Sequence, residues 1–151
     1  MITIEALGAE SLTEGDHFIH YLNSDTRFVF TYNGKSVQFL TEVSKNILYD
    51  VAMKLIRKFD SFEVTPFGVE SDHSVVFRFS EDRGRIDIKK MPSASLATIE
   101  ETSFPADVFL VEFAKAYEHF LSPLHDAEKE EEETPRDLIQ MREILELLKE
   151  Q

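Results

Sequence analysis

The clearest pattern along the chain is an alternation of apolar and polar residues interrupted by a tight-turn signal. Asn33-Gly34 supplies the two residues with positive φ that a type I′ turn requires. A two-residue loop here would place two apolar pairs directly opposite each other, Phe30 with Val37 and Phe28 with Phe39. One face would then be apolar and the other mostly polar. This pattern predicts an antiparallel hairpin that covers a core on one side.

Other stretches repeat this alternation, and turn-like residues between them mark the strand ends. We predict five further strands: Ile2–Leu7, His17–Leu22, Phe62–Phe67, Val75–Ser80 and Arg85–Met91. The last two form a second hairpin around the turn Glu81–Gly84. The polar stretch Pro92–Ser103 is assigned to a connection with room for one short extended segment. The predicted strands therefore fall into two groups, one on each side of residues 41–59.

Two regions show the period of a helix. From Thr41 or Ser44 onward the apolar residues recur with a period of about 3.6, which indicates an amphipathic helix ending near Phe59. A second helix is predicted over Pro105–Leu121, with Ser103 as its N-cap. The apolar residues of this second helix cover more than one stripe. It therefore needs cover on two sides.

The end of the chain combines a run of charge with a third helical pattern. Asp126–Glu133 should stay solvated, whereas Thr134-Pro135 is a helix-start signal. Apolar residues then recur at spacings of three and four: Leu138, Met141, Leu145 and Leu148. We expect this helix to cover the second side of Pro105–Leu121 within the same molecule. The alternative is that a second molecule provides that cover.

These elements predict an α+β fold. It consists of an antiparallel sheet of about six to seven strands in two meanders or hairpins, one face of which is packed by two amphipathic helices, plus a C-terminal helix. We expect a single α+β domain over residues 1–124, an acidic linker over 125–134, and the C-terminal helix over 135–151 packed on the domain. A chain of this length buries about two thirds of its surface, which is enough for one full core.

The chain is strongly acidic. Asp and Glu number 29 against 16 Lys and Arg, which leaves a formal charge of −13. Such a charge repels phosphate backbones and anionic lipids, so neither nucleic acid nor membrane is expected as a partner. The absence of cysteine excludes a disulfide framework and a thiolate zinc site. The sequence shows neither a membrane span nor a secretory signal, and a cytoplasmic location is expected.

No residue pattern points to catalysis. His17 and His20 are spaced as in some metal sites, but in the predicted strand they would point to opposite faces. Nucleotide-binding, nucleophile-elbow and zinc-protease motifs are missing from the sequence. Paired acids such as Glu100-Glu101 need burial to raise a catalytic pKa, and the sequence does not indicate it. We therefore expect no enzyme activity, no metal and no cofactor.

The acidity instead predicts a binding function, with a basic protein as the partner because opposite charges steer association. In size, acidity, lack of cysteine and lack of a catalytic motif, the chain is similar to many bacterial immunity proteins and antitoxins, which neutralise basic nuclease-like toxins. For this chain, the similarity implies neutralisation by occlusion of the partner's cationic site. No sequence motif carries this similarity. The expected contact residues are acids at predicted turns and before the second helix: Asp72, Glu81, Asp82, Glu100 and Glu101.

Two other functions also fit the sequence. A structural or regulatory subunit would form a homodimer through its helices at residues 105–121 and 135–150. A small-ligand-binding protein, or an enzyme of unrecognised type, would use an aromatic cavity between sheet and helix, because the chain has 13 Phe and 4 Tyr.

Overall fold

Two antiparallel sheets and three helices form the part of the chain that the structure, a computed structural model, describes: residues 1–7, 25–42, 44–94, 97–128 and 136–151. The first sheet has the order β1-β2-β3, with β1 at Ile2–Ala6, β2 at Thr26–Tyr32 and β3 at Lys35–Thr41. The second sheet has the order β4-β5-β6-β7, with β4 at Ser61–Val64, β5 at His73–Phe79, β6 at Arg85–Pro92 and β7 at Glu100–Pro105. The helices are α1 at Ser44–Ile56, α2 at Ala106–Glu128 and α3 at Arg136–Lys149. The predicted α+β fold is confirmed.

The first predicted hairpin is confirmed in register as well as in position. Strands β2 and β3 pair Phe30 with Val37 and Phe28 with Phe39. Asn33 and Gly34 have φ values of 51° and 77°, which are the two positive angles of a type I′ turn. The rings of Phe28 and Phe39 stack with their centroids 4.9 Å apart, so the turn aligns an aromatic pair on the core side of the sheet.

The prediction of Ser103 as a helix N-cap is wrong. Ser103 lies in β7 opposite Asp87, and Pro105 ends that strand opposite Arg85. The exposed edge of β6 provides backbone partners for this segment, and the pairing continues until Ala106 N–H bonds to Gly84 C=O at 2.9 Å. Strand pairing thus overrides the local capping signal. Helix α2 begins at Ala106 and continues through Pro123 to Glu128, past the predicted end at Leu121.

The other strand predictions have mixed outcomes. Strand β1 is confirmed and pairs directly with β2 in antiparallel register. The predicted strand His17–Leu22 and the predicted cap Thr134-Pro135 lie outside the described residues. Strand β4 is shorter than predicted, because it ends at Val64 where its pairing with Val75 ends.

The core is shared by the two sheets and the helices. Phe109 of α2 lies between them, with its ring centroid 6.1 Å from that of Phe30 in the first sheet. Its centroid is 6.3 Å from that of Phe77 and 5.5 Å from that of Phe104, both in the second sheet. All four side chains are fully buried. The inward stripe of α2 thus joins two sheets that share no backbone ladder.

Helix α3 packs against both α1 and α2. Its buried face follows the spacing that the sequence shows, with Leu138, Met141, Leu145 and Leu148 withdrawn from solvent. Tyr117 of α2 is fully buried and donates its hydroxyl to the C=O of Met141 at 2.9 Å. Burial raises the pKa of the Tyr117 hydroxyl far above its usual value, so this donor keeps its proton.

Candidate functional site

The structure separates the five predicted contact residues instead of bringing them together. Asp72, Glu100 and Glu101 lie at the end of the second sheet where β5 and β7 begin. Glu81 and Asp82 lie in the turn at the opposite end. Strand β5 between them has seven residues, which corresponds to about 20 Å. The five acids therefore do not form one surface.

Two of these five acids have local structural contacts. Asp82 accepts hydrogen bonds from Ser80 Oγ at 2.7 Å and from Gly84 N–H at 2.9 Å. These bonds, the Ser80 bond first, lower the pKa of the exposed Asp82 carboxyl. Asp72 Oδ1 lies 2.8 Å from His73 Nδ1, close enough for an ion pair but without hydrogen-bond geometry. Asp82 stabilises the β5–β6 turn, and Asp72 contacts its neighbour.

Glu101 belongs to a surface without excess charge. It lies on the outer face of the second sheet, directly across from Lys89. That face holds three acids and three bases on its outward positions: Glu63, Asp87, Glu101, Arg78, Arg85 and Lys89. Their formal charges cancel, and Asp87 is directly opposite Arg78. We call this set the balanced face. It offers a basic partner no net attraction.

Glu100 belongs to a different cluster, which joins the two sheets. Lys90 on β6 is buried, and its Nζ donates to Gln38 C=O on β3 at 2.9 Å and to Glu70 Oε1 at 2.5 Å. Glu100 Oε1 accepts from Gln38 N–H at 3.2 Å and lies 3.9 Å from Lys90 Nζ. The remaining Glu70 oxygen accepts from Leu40 N–H. We call Glu70, Lys90 and Glu100 the seam cluster.

The side chains of the seam cluster form the hydrogen bonds to the outer edge of β3 that a neighbouring strand would otherwise form. The N–H groups of Gln38 and Leu40 point to the outer edge of β3, and carboxylates satisfy both of them. Burial raises the pKa of Glu70, but the hydrogen bonds from Lys90 and from Leu40 N–H outweigh that effect and leave its pKa below the usual value. Glu70 is therefore a stable acceptor at neutral pH. The seam cluster is a structural joint that also lines a polar groove with Arg27 and Ile99.

Sequence reasoning missed Glu70 and Lys90, although one signal was present. Lys89 and Lys90 are consecutive in a strand whose neighbours alternate between inward and outward positions. One of two consecutive residues in a strand must face inward. A lysine that faces a core needs an acidic partner, because an unpaired buried charge is costly. The alternation therefore predicts a buried ion pair, but it does not identify Glu70 as the partner.

The acidic excess lies outside the region that holds the five predicted residues. Residues 44–105 contain ten acids and nine bases, which is a net charge of −1. Helix α2 alone contains five acids and one base, which is a net charge of −4. The acids with described side chains are Asp107, Glu112 and Glu118. Together with Lys115, these described side chains of α2 carry a net charge of −2.

The outward side of α2 combines this charge with an exposed apolar residue. Val111 is 53% exposed and lies one helical turn from Asp107 and from Lys115. Asp107, Lys115 and Glu118 are exposed, and Glu112 is half-buried. We call Asp107, Val111, Glu112, Lys115 and Glu118 the acidic ridge. Lys149 Nζ lies 3.1 Å from Glu118 Oε2, and this hydrogen bond raises the pKa of Lys149.

Two grooves flank the acidic ridge. The groove between β1 and α2 has a volume of about 560 Å³ and is lined by all five residues of β1 together with Ala116, Phe120 and Pro123. The groove between α2 and the end of α3 has a volume of about 300 Å³ and is lined by Val111, Ala114 and Leu148. Lys115 lines both grooves. The ridge thus stands between two recesses whose linings include apolar side chains.

Among the described residues, no group of three or more His, Asp or Glu side chains is placed to hold a metal ion. Within the same residues, no helix is both long enough and apolar enough to cross a bilayer. His17 and His20, whose spacing the sequence analysis did not take as a metal site, lie outside the described residues. His119 is exposed and lines the groove between β1 and α2.

Comparisons with known proteins do not assign this site. No protein-family model matches the chain, and no curated protein and no solved structure matches it either. The charge and shape of the acidic ridge are therefore the features from which we infer a function.

Proposed function

We propose that the protein is a small acidic binding module that recognises a basic partner protein through the acidic ridge of α2. The observation that carries this proposal is the exposed Val111, which stands among three carboxylates and between two grooves. Interfaces of this kind use charge for steering and a few apolar contacts for stability. An immunity-type role, in which the module occludes the cationic surface of a basic toxin, fits the same chemistry.

The charge distribution supports the ridge over the residues that the sequence suggested. The acidic ridge carries three acids and Lys115, a net charge of −2, and Lys149 pairs with one of those acids, whereas the three acids of the balanced face are matched by three neighbouring bases. A basic protein approaching the molecule is attracted by net local charge and not by the count of acids. The ridge is also the place where Val111 lies 53% exposed beside those acids.

The proposal is tested by two variants that remove the same amount of charge from different places. The ridge variant is Asp107→Asn, Glu112→Gln, Glu118→Gln, and the control variant is Glu63→Gln, Asp87→Asn, Glu101→Gln. Each variant changes the formal charge of the chain from −13 to −10. The tagged proteins are used to capture partners from source-cell lysate, the bound proteins are eluted by a salt gradient, and each is identified by mass spectrometry.

We expect the wild type and the control variant to retain the same basic protein until the salt concentration is raised. The ridge variant should retain it about tenfold less well, because local charge sets the association rate. Equal retention by the ridge and control variants would contradict the assignment to the ridge. The absence of any basic protein from the wild-type eluate would contradict the proposed function itself.

A further inference from the structure

The two outer edges of the first sheet differ in how their backbone groups are used. Met1 and Thr31 exchange two backbone hydrogen bonds, of 2.5 and 2.8 Å, and Leu7 N–H donates to Asp25 C=O at 2.7 Å. In an antiparallel pair, such hydrogen-bonded residues alternate with residues whose N–H and C=O point away from the partner. The backbone groups of Ile2, Ile4 and Ala6 therefore point to the outer edge of β1.

The groove between β1 and α2 follows this edge. All five residues of β1 line it, although their side chains alternate between the two faces of the sheet. A groove that contacts successive residues of a strand must run along the backbone edge. Its far side is formed by Ala116, His119 and Phe120 of α2. The backbone groups of Ile2, Ile4 and Ala6 thus open into a groove of about 560 Å³.

The opposite edge of the sheet is closed in a way that β1 is not. On β3, side chains of the seam cluster bond to Gln38 N–H, Gln38 C=O and Leu40 N–H. Among the described residues, no such side-chain bonds reach the outward backbone groups of Ile2, Ile4 or Ala6. An open strand edge is a template for pairing with another extended chain, and proteins usually block it.

We propose that the β1 edge receives an extended segment of the basic partner as an added strand of the first sheet. This inference rests on the proposed function and specifies how the partner is held. Backbone hydrogen bonds to Ile2, Ile4 and Ala6 provide affinity, as in other complexes formed by strand addition. Among the described residues that line the groove, Glu5 and Glu112 face a single Lys or Arg, Lys115, so the groove favours a cationic segment.

The segment should alternate basic and apolar residues. Residues of an added strand follow the pleat of β1, so every second side chain faces inward beside Ile2 and Ile4, which are buried. These inward side chains are apolar and contact Ala116 and Phe120 on α2. The side chains between them lie beside Thr3 and Glu5, which are exposed. They are basic and pair with Glu5.

The test uses a defined probe, the fluorescent capped peptide Lys-Val-Lys-Val-Lys-Val-Lys, with the full chain. Its control is the same sequence with every internal backbone amide methylated, which keeps the charge but removes the donors from both edges. The protein variant is Ala6→Pro, which removes an outward N–H and no bond to β2, as proline does on natural edge strands. Its control is Ala6→Val, which keeps the N–H.

We expect the unmethylated peptide to bind the wild type and Ala6→Val alike, and to bind Ala6→Pro at least about tenfold more weakly. The methylated peptide should bind no variant measurably. In the free protein, amide exchange measured by NMR should be faster at Ile4 and Ala6 than at Thr3 and Glu5, whose N–H groups bond to β2. Circular dichroism shows whether Ala6→Pro is folded. The amide-exchange measurement and the comparison of the two peptides can be made on the wild type and do not depend on that variant.

Three results would overturn strand addition: slow exchange at Ile4 and Ala6 in the free protein, equal binding of the two peptides, or no binding of the unmethylated peptide to the wild type. The proposed function has its own readout. If the ridge variant loses the natural partner while Ala6→Pro keeps it, the basic-partner function stands and the strand-addition mode is wrong. If neither variant loses the partner, the strand-addition mode and the assignment to the ridge are both wrong, and the function itself fails only if the wild type binds no basic protein.

Discussion

Lys90 Nζ lies 2.5 Å from Glu70 Oε1 at the place where the edges of the two sheets meet, and the two side chains are 9% and 19% exposed. The same lysine bonds to Gln38 C=O, and the same glutamate bonds to Leu40 N–H. The pair therefore provides hydrogen-bond partners for backbone groups of β3 that point away from the β2–β3 ladder. The pair thus connects the first sheet, whose opposite edge is β1, to the second sheet, which carries the balanced face.

The replacement Lys90→Met should destabilise the protein by about 3 kcal/mol or more, because it leaves the Glu70 carboxylate largely buried without its cation. Adding Glu70→Gln should recover part of that loss, since the amide oxygen still accepts from Leu40 N–H but carries no charge. Urea unfolding of the two single variants and the double variant gives the coupling free energy. Strictly additive losses would contradict a direct interaction between the two side chains.

The free energy of unfolding should fall in acid through Glu70. Its pKa is lower in the folded protein than the ordinary value of 4.5, so its contribution is fully present above that value and is lost as the pH falls through the folded pKa. The wild type should therefore be more stable than Glu70→Gln at neutral pH, and this advantage should shrink as the pH falls below 4.5. Unfolding curves at a series of pH values measure this difference. A difference that does not change with pH would contradict the lowered pKa.

Thr102 and Thr41 provide a matched pair of buried hydroxyls. Thr102 Oγ1 has no hydrogen-bond partner among the described residues, whereas Thr41 Oγ1 accepts from Phe67 N–H at 3.1 Å. Thr102→Val should leave stability unchanged or raise it by about 1 kcal/mol, and Thr41→Val should lower it by about 1 to 2 kcal/mol. Thermal or urea unfolding compares the two variants. Equal losses for both would show that Thr102 has a partner.

The hydroxyl of Tyr117 should contribute to the attachment of α3. Tyr117→Phe removes the donor to Met141 C=O while keeping the ring in the core, and we expect a loss of about 1 kcal/mol. Ultraviolet titration adds a second readout. Because burial raises the pKa of Tyr117, the variant should show the same number of tyrosines ionising near pH 10 as the wild type. One fewer in the variant would mean that Tyr117 ionises with the others.

The elements that the sequence predicted well are those specified by local chemistry. Asn33-Gly34 requires one turn type, and that turn fixes the register of β2 and β3. Strand β7 was not predicted as a full strand because Glu100–Pro105 lacks a strong alternation, and its pairing depends on the edge of β6. The seam cluster joins residues far apart in sequence. Only the tertiary structure brings Glu70 and Lys90 together.

The proposed contact surface was the least predictable feature. Glu81 and Asp82, which the sequence placed at a turn, are exposed, but exposure alone does not show whether neighbouring bases cancel the charge of an acid. The balanced face illustrates this, because Glu101 sits across from Lys89. The acidic ridge was hidden in a helix that the sequence marks as mainly apolar, since its inward stripe dominates the pattern.

The most direct test of the basic-partner account is zero-length carbodiimide cross-linking of the complex, which joins carboxylates to lysine amines in contact, followed by peptide mapping. We expect the partner's lysines to be joined to Asp107, Glu112 or Glu118. Cross-links confined to Glu63, Asp87 or Glu101 on the balanced face, or no cross-link to a basic protein, would contradict it.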